Sequence, residues 1–189
     1  GIFLAQAGQH GGWSTQVLFQ DVQQEAWLPS VAYSDTQLLA AWVQGTYSPV
    51  PLGDVVQYDV SPARAQVVMT QAYGYVAPRM VVGADGVHMV YAARRPEERT
   101  GIWTGDLYYV HRVLTQRTWS TPTIVVSHTG VMTQAIGGGI RHPRVALNED
   151  GTRLHVVWQQ EIISGTESLQ CIWYISGTPT LQGVQWGQP

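Results

Sequence analysis

Three segments of the chain repeat one pattern, and that self-similarity restricts the fold more than any other feature. Pro29-Ser30-Val31-Ala32-Tyr33 leads through a turn into Leu38-Leu39-Ala40-Ala41-Trp42. Pro78-Arg79-Met80-Val81-Val82 leads through Asp85-Gly86 into Val87-His88-Met89-Val90-Tyr91. Pro143-Arg144-Val145-Ala146-Leu147 leads through Asp150-Gly151 into Leu154-His155-Val156-Val157-Trp158. Each unit is a proline, a short apolar strand, a tight turn and a second strand ending in an aromatic ring. Proline suits the first position of a strand, where its missing N–H removes no ladder bond. The glycine of Asp-Gly accepts the positive φ that a tight hairpin asks for.

A third strand rich in aromatics follows each hairpin: Val55-Val56-Gln57-Tyr58, Leu107-Tyr108-Tyr109-Val110 and Ile172-Trp173-Tyr174-Ile175. A fourth follows near Gln66–Met69, Trp119–Val125 and Val184–Pro189. The repeating unit is thus a four-stranded antiparallel sheet of about 50–65 residues, the size of a propeller blade. The N-terminus enters the same template at its third strand, with Ile2-Phe3-Leu4-Ala5 and then Trp13-Ser14-Thr15-Gln16-Val17-Leu18. No segment has convincing helical periodicity. The reading is an all-β chain of fourteen strands, a partial β-propeller of about three and a half blades in a single domain over residues 1–189. Its divisions fall at 1–26 (half blade), 27–75, 76–140 and 141–189.

Composition removes several classes of function. Hydrophobic residues make up 44% of the chain and charged residues only 12%, which is not the signature of a disordered protein. No run approaches the roughly 18 apolar residues of a membrane-spanning helix. The net charge is −3, and the ten basic residues are scattered arginines with no lysine; without a basic stripe, no nucleic-acid partner is expected. The single Cys171 excludes an internal disulfide and a cysteine-clustered metal site, and in its apolar run it reads as a small buried hydrophobe. Gly1-Ile2-Phe3-Leu4 lacks a charged region and a long apolar core, so no signal peptide is expected in this chain. Gly137-Gly138-Gly139 is followed by neither lysine nor helix and is not a phosphate loop. No cofactor is implied.

The repeats resemble the sialidase-like (BNR, or Asp-box) superfamily of propellers. In that family the turn between third and fourth strands carries a Ser-x-Asp-x-Gly-x-Thr-Trp box, often continued as Trp-Ser-x-Pro. Thr118-Trp119-Ser120-Thr121-Pro122 keeps the end of that box, and Trp13-Ser14-Thr15 and Trp186-Gly187-Gln188-Pro189 keep weaker versions. The Ser/Asp/Gly part is degenerate: Ser176-Gly177-Thr178 lacks the aspartate, and Ala65 stands where the first full blade would have its tryptophan. Arg141-His142-Pro143 resembles the Arg-Ile-Pro element that opens an innermost strand in sialidases. There the resemblance implies an arginine that helps bind the substrate carboxylate. It also implies an extracellular or cell-surface location. A retaining sialidase needs an acid/base aspartate and a tyrosine nucleophile besides. Asp106, Glu161 and Tyr108 are of the right types, but none stands in a specific motif. The isolated chain, with an unclosed ring, therefore reads as non-catalytic.

Blade geometry sorts the loops onto two rims. One collects the long loops 20–28, 43–54, 71–77, 92–106, 128–142 and 159–169, the other the short Asp-Gly turns and the degenerate boxes. Long loops held by a rigid sheet gather function, so candidate ligand-binding residues are those of the first rim: Trp27, Tyr75, Arg94, Arg95, Trp103, Arg141 and His142. Arginine pairs two-pronged with a carboxylate, and indole or phenol rings stack on the apolar face of a sugar. Residues that recur are read as scaffold. Trp42, Tyr91 and Trp158 should pack between blades, and Asp54 and Asp106 should cap turns before the third strands. His88 and His155 should share a structural role rather than bind metal.

Terminal blades would leave bare strand edges and apolar faces, so self-association or the remainder of a longer chain is expected to complete the ring. Three functions remain open: a glycan-binding or scaffold unit, a fragment of an exo-sialidase or related glycoside hydrolase, and a protein-interaction platform.

Overall fold

The computed structural model describes residues 1–8, 11–33, 37–47, 51–60, 62–73, 76–94, 105–116, 118–127, 140–164, 167–180 and 183–189. Strands β1 (Ile2–Ala7) and β2 (Trp13–Phe19) form a two-stranded sheet. A meander follows, made of β3 (Glu25–Tyr33), β4 (Leu38–Tyr47), β5 (Pro51–Asp59) and β6 (Arg64–Tyr73). A second is β7 (Arg79–Val82), β8 (Val87–Arg94), β9 (Gly105–Arg112) and β10 (Thr123–Val126). A third is β11 (Arg141–Leu147), β12 (Leu154–Ser164), β13 (Glu167–Thr180) and β14 (Gly183–Trp186). Every ladder is antiparallel, and among the described residues there is no helix. Where the short β7 stops pairing with β8, β6 reaches across, and Ala72 opposite Ala93 ties the first two meanders together.

Strand periodicity explains how these sheets stack. Successive side chains point to opposite faces, so each second strand serves two neighbours at once. Leu39, Ala41 and Val43 of β4 pack against Val87, Met89, Tyr91 and Ala93 of β8. Ala40 and Trp42, on the reverse face of β4, pack with Ile2, Leu18 and Phe19 of the two-stranded sheet. Val90 and Ala92, on the reverse face of β8, pack with Leu154, Val156 and Trp158 of β12. Three apolar layers thus separate the two-stranded sheet and the three meanders. Trp42, Tyr91 and Trp158 are all buried, each facing the preceding sheet as its repeat position predicts. Innermost strands β3 and β11 both lie against β7, which fans the meanders about one side. This is a partial propeller.

The outermost faces have no such neighbour among the described residues. Phe3 (65% exposed), Val17 and Trp13 (74%) share one face of the two-stranded sheet, and Val157, Ile172 (77%) and Tyr174 share one face of the last meander.

One expectation is corrected. Gly53-Asp54 and Gly105-Asp106 lie inside β5 and β9, where Asp54 faces Gln44 and Asp106 faces Ala93 across the ladder. They cap no turn, because the pairing runs on to Tyr47 with Pro51 and to Arg94 with Gly105. Glycine is required at position 53 by close approach, since a Cβ there would overlap the Gln44 carbonyl oxygen.

Candidate functional site

Two of the expected long loops, 43–54 and 159–169, are instead hairpins whose ladders run to Tyr47 with Pro51 and to Ser164 with Glu167. At the same rim, the heads of two innermost strands share an unusual backbone. Trp27 pairs with Val43 and Arg141 with Gln159, which are equivalent positions of the repeat. In both strands the register then skips, resuming at Ser30 with Ala41 and at Arg144 with Val157. Leu28 and His142 fill the skip with φ of 50°, the only described non-glycine residues at positive φ. A proline, Pro29 or Pro143, follows each. Residues before proline favour extended backbone, and a non-glycine residue held left-handed stores on the order of 1–3 kcal/mol. A bulge of this kind re-aims side chains at the end of a strand. Here it offsets Trp27 and Arg141 alike.

Trp27 is partly buried, and its indole N–H donates to the Glu25 carboxylate at 2.9 Å. Arg141 is partly buried and His142 exposed. Val76 takes the same repeat position before β7 and is buried in the layer between the last two meanders. Arg94 closes β8 opposite Gly105. Tyr75, Arg95 and Trp103 lie outside the described residues.

The opposite rim holds the denser polar constellation, and sequence reasoning missed most of it. Arg112, at the end of β9 and 3% exposed, reaches back to the preceding meander. Its guanidinium donates to both oxygens of Asp59, at 2.9 and 3.1 Å, and to Gln57 Oε1 at 3.1 Å. The Trp119 ring covers it, 5.4 Å from centroid to guanidinium carbon. Trp119 thus closes over a buried ion pair that joins two meanders. A cavity of about 200 Å³ opens beside it, lined by Gln37, Asp59, Pro62, Arg64, Arg112 and Leu114.

Across the same rim, toward the last meander, lies a second cluster. His88 is wholly buried; its Nε2 lies 3.0 Å from Asp85 Oδ1 and its Nδ1 2.8 Å from the Tyr109 hydroxyl. Burial pushes His88 below its usual value while Asp85 pulls it back up, so the neutral ring donates from Nε2–H and accepts the Tyr109 O–H at Nδ1. Burial, with Asp85 adding to it, pushes the Tyr109 phenol up. His111, directly opposite His88 in the ladder, stacks on it at 4.9 Å between centroids. Among the described residues, Asp85, His88 and His111 are the group of carboxylate and imidazole donors whose atoms lie close enough, within 4.8 Å of one another, to hold a metal ion.

The repeat explains half of this cluster. His155 Nδ1 lies 2.8 Å from the Tyr174 hydroxyl, the same diagonal pair one blade later. The paired structural role predicted for the two histidines is therefore real, and its partner is a tyrosine on the third strand. His88 is buried because the next sheet covers it, with Trp186 meeting the Tyr109 ring edge-on at 5.5 Å. His155 faces the uncovered side of the last sheet.

No protein-family model matches the chain, and no curated protein matches its sequence. Solved structures do resemble it. A thermostable family-43 glycoside hydrolase superposes with a TM-score of 0.50 at 10% identity, over 98% of this chain and 70% of its own. An α-L-arabinofuranosidase from Lactobacillus brevis superposes with a TM-score of 0.57 at 12% identity, over 94% of this chain and 60% of its own. The chain therefore spans 60–70% of the length of these enzymes. At such identities the likeness is one of architecture, and it places the chain in the fold of propeller-type glycoside hydrolases.

Proposed function

We propose that the chain is a non-catalytic, glycan-binding propeller unit of a larger or oligomeric extracellular or cell-surface protein, of sialidase-like descent. The observation that supports it best is the shared strand-head bulge. It sets a tryptophan and an arginine at the same place on two innermost strands, on the rim where those strands begin. An indole face and a planar guanidinium are the pair that a carboxylate-bearing sugar asks for. His142, Tyr75, Trp103, Arg94 and Arg95 complete the surface in this reading.

A glycan array of the wild-type chain tests it. Binding to acidic glycans is expected, with Trp27→Ala and Arg141→Ala each weakening it about tenfold, a loss of ~1.4 kcal/mol. Folding should be preserved, because neither side chain is fully buried. An array without hits removes the proposal and leaves the interaction platform.

The fold likeness to two glycoside hydrolases favours a second reading, in which the chain is part of an exo-acting glycosidase with Arg141 on the substrate carboxylate. Turnover of a fluorogenic sialoside that vanishes in Arg141→Ala would decide for it.

In either reading the bare outer faces need a cover, supplied by a second copy or by further chain. The isolated chain is expected to self-associate, and Phe3→Glu with Ile172→Glu should shift its mass in sedimentation velocity to that of the monomer. A wild-type chain that is monomeric at high concentration would contradict this.

A further inference from the structure

We infer that Asp85, His88 and His111 form a binding site for a borderline divalent transition-metal ion of the Zn²⁺ class, buried between the last two meanders. The inference is independent of the rim reading and departs from the expectation that the histidines bind no metal. That expectation weighed His88 only against its repeat partner; the ladder adds His111 and the hairpin turn adds Asp85.

Donor chemistry and spacing point to the ion. Two imidazoles and one carboxylate with an open fourth position form a common tetrahedral zinc set, whereas Ca²⁺ and Mg²⁺ ask for mostly oxygen ligands. Bonds of about 2.0–2.2 Å in a tetrahedron separate the donors by roughly 3.3–3.5 Å. Asp85 Oδ1 stands 3.0 Å from His88 Nε2, and Asp85 Oδ2 3.9 Å from His111 Nε2. With one donor atom from each residue, the three lie within 4.8 Å of one another, so closing by roughly an ångström would seat the ion. Asp85, with its side chain 44% exposed, provides the entry path and the open side.

One feature is hard to explain without a ligand. His111 Nε2 is buried and has no hydrogen-bond partner, a state that costs about 1–3 kcal/mol. Gly86 lies beside it, where a Cβ would stand 2.6 Å from that nitrogen and would overlap the Arg112 carbonyl oxygen, and the second approach requires glycine by itself.

The supporting contacts are those of a metal site. With an ion on Nε2 the His88 ring would carry its proton on Nδ1, and Tyr109 Oη, 2.8 Å away, would change from donor to acceptor of that hydrogen bond. Ser120 fixes His111 from both sides: its Oγ accepts the His111 N–H at 3.0 Å, and its N–H donates to the His111 carbonyl at 2.8 Å.

The next blade provides an internal control. It keeps the His155–Tyr174 pair, but Ser176 takes the place of His111. Its turn is two residues longer, and Asp150 there bonds Thr152, at 2.6 and 2.9 Å, instead of the histidine. The histidine–tyrosine pair belongs to the repeat; the two further donors belong to one blade.

The test is titration of the tag-free, chelator-treated chain with Zn²⁺ by calorimetry and with Co²⁺ by visible absorption. One ion per chain is expected, with the intense bands of tetrahedral Co²⁺ and a rise in Tm. Asp85→Asn and His111→Gln should each weaken binding at least tenfold, while His155→Gln leaves it unchanged. Circular dichroism of each variant separates lost binding from lost folding, and the wild-type Co²⁺ spectrum stands without any variant. Absence of saturable binding, an octahedral Co²⁺ spectrum, or equal weakening by His155→Gln overturns the site.

Discussion

Asp59→Ala is expected to lower the unfolding free energy by about 3 kcal/mol in urea titrations, because it strands the Arg112 guanidinium between two sheets. The wild-type pair is two-pronged, with a third bond to Gln57 and the Trp119 ring over the guanidinium. Asp59 keeps some contact with solvent, which holds the expected loss at the lower end of the range for a broken buried pair. Removing both charges is a different experiment. Asp59→Leu with Arg112→Met replaces the ion pair by apolar volume in a site already walled by Leu114 and Trp119. It should cost less than the single variant, about 1–2 kcal/mol, chiefly because the buried Gln57 amide loses both partners. The gap between single and double variants is the signature of a stranded charge. Were Asp59→Ala to shift stability by only a few tenths of a kcal/mol, Arg112 would have to reach water, and Trp119 would not be sealing the pair.

The same pair shows which parts of this molecule were readable from residues alone. The apolar architecture was, because period-two alternation and the proline-to-aromatic repeat encode strand, face and neighbour within each 50-residue unit. Trp42, Tyr91 and Trp158 could be placed between sheets for that reason. Arg112 could not be paired with Asp59, because 53 residues separate them and nothing local marks the contact. It depends on which face each third strand turns to its neighbour. Gln57, Tyr109 and Tyr174 hold one repeat position, and Asp59, His111 and Ser176 hold the next on the same face. Extending the repeat comparison from apolar to polar positions would have exposed a layer of polar groups presented by every sheet to the one after it. The backbone bulge at Leu28 and His142 was half visible, since both precede the repeat's proline, but left-handed φ before proline runs against local preference and needs the fold to impose it.

Trp158→Ala should cost about 3–5 kcal/mol, the usual loss when a large buried aromatic leaves a cavity, and the damage should be local. The indole is fully buried between β8 and β12, packs over Trp173 at 6.4 Å between centroids, and donates its N–H to Gln160 at 3.1 Å. It belongs to the apolar layer that, among the described residues, joins the last meander to the one before it. In a stack where each sheet touches only its neighbours, weakening one layer lets the terminal unit open alone. Hydrogen exchange should accordingly speed up in β11–β14 while β4 and β8 keep most of their protection. Trp158→Phe retains much of the area and should cost less. Uniform loss of protection through β4, β8 and β12 would mean that the sheets unfold as one cooperative body, and that the three apolar layers are not separable joints.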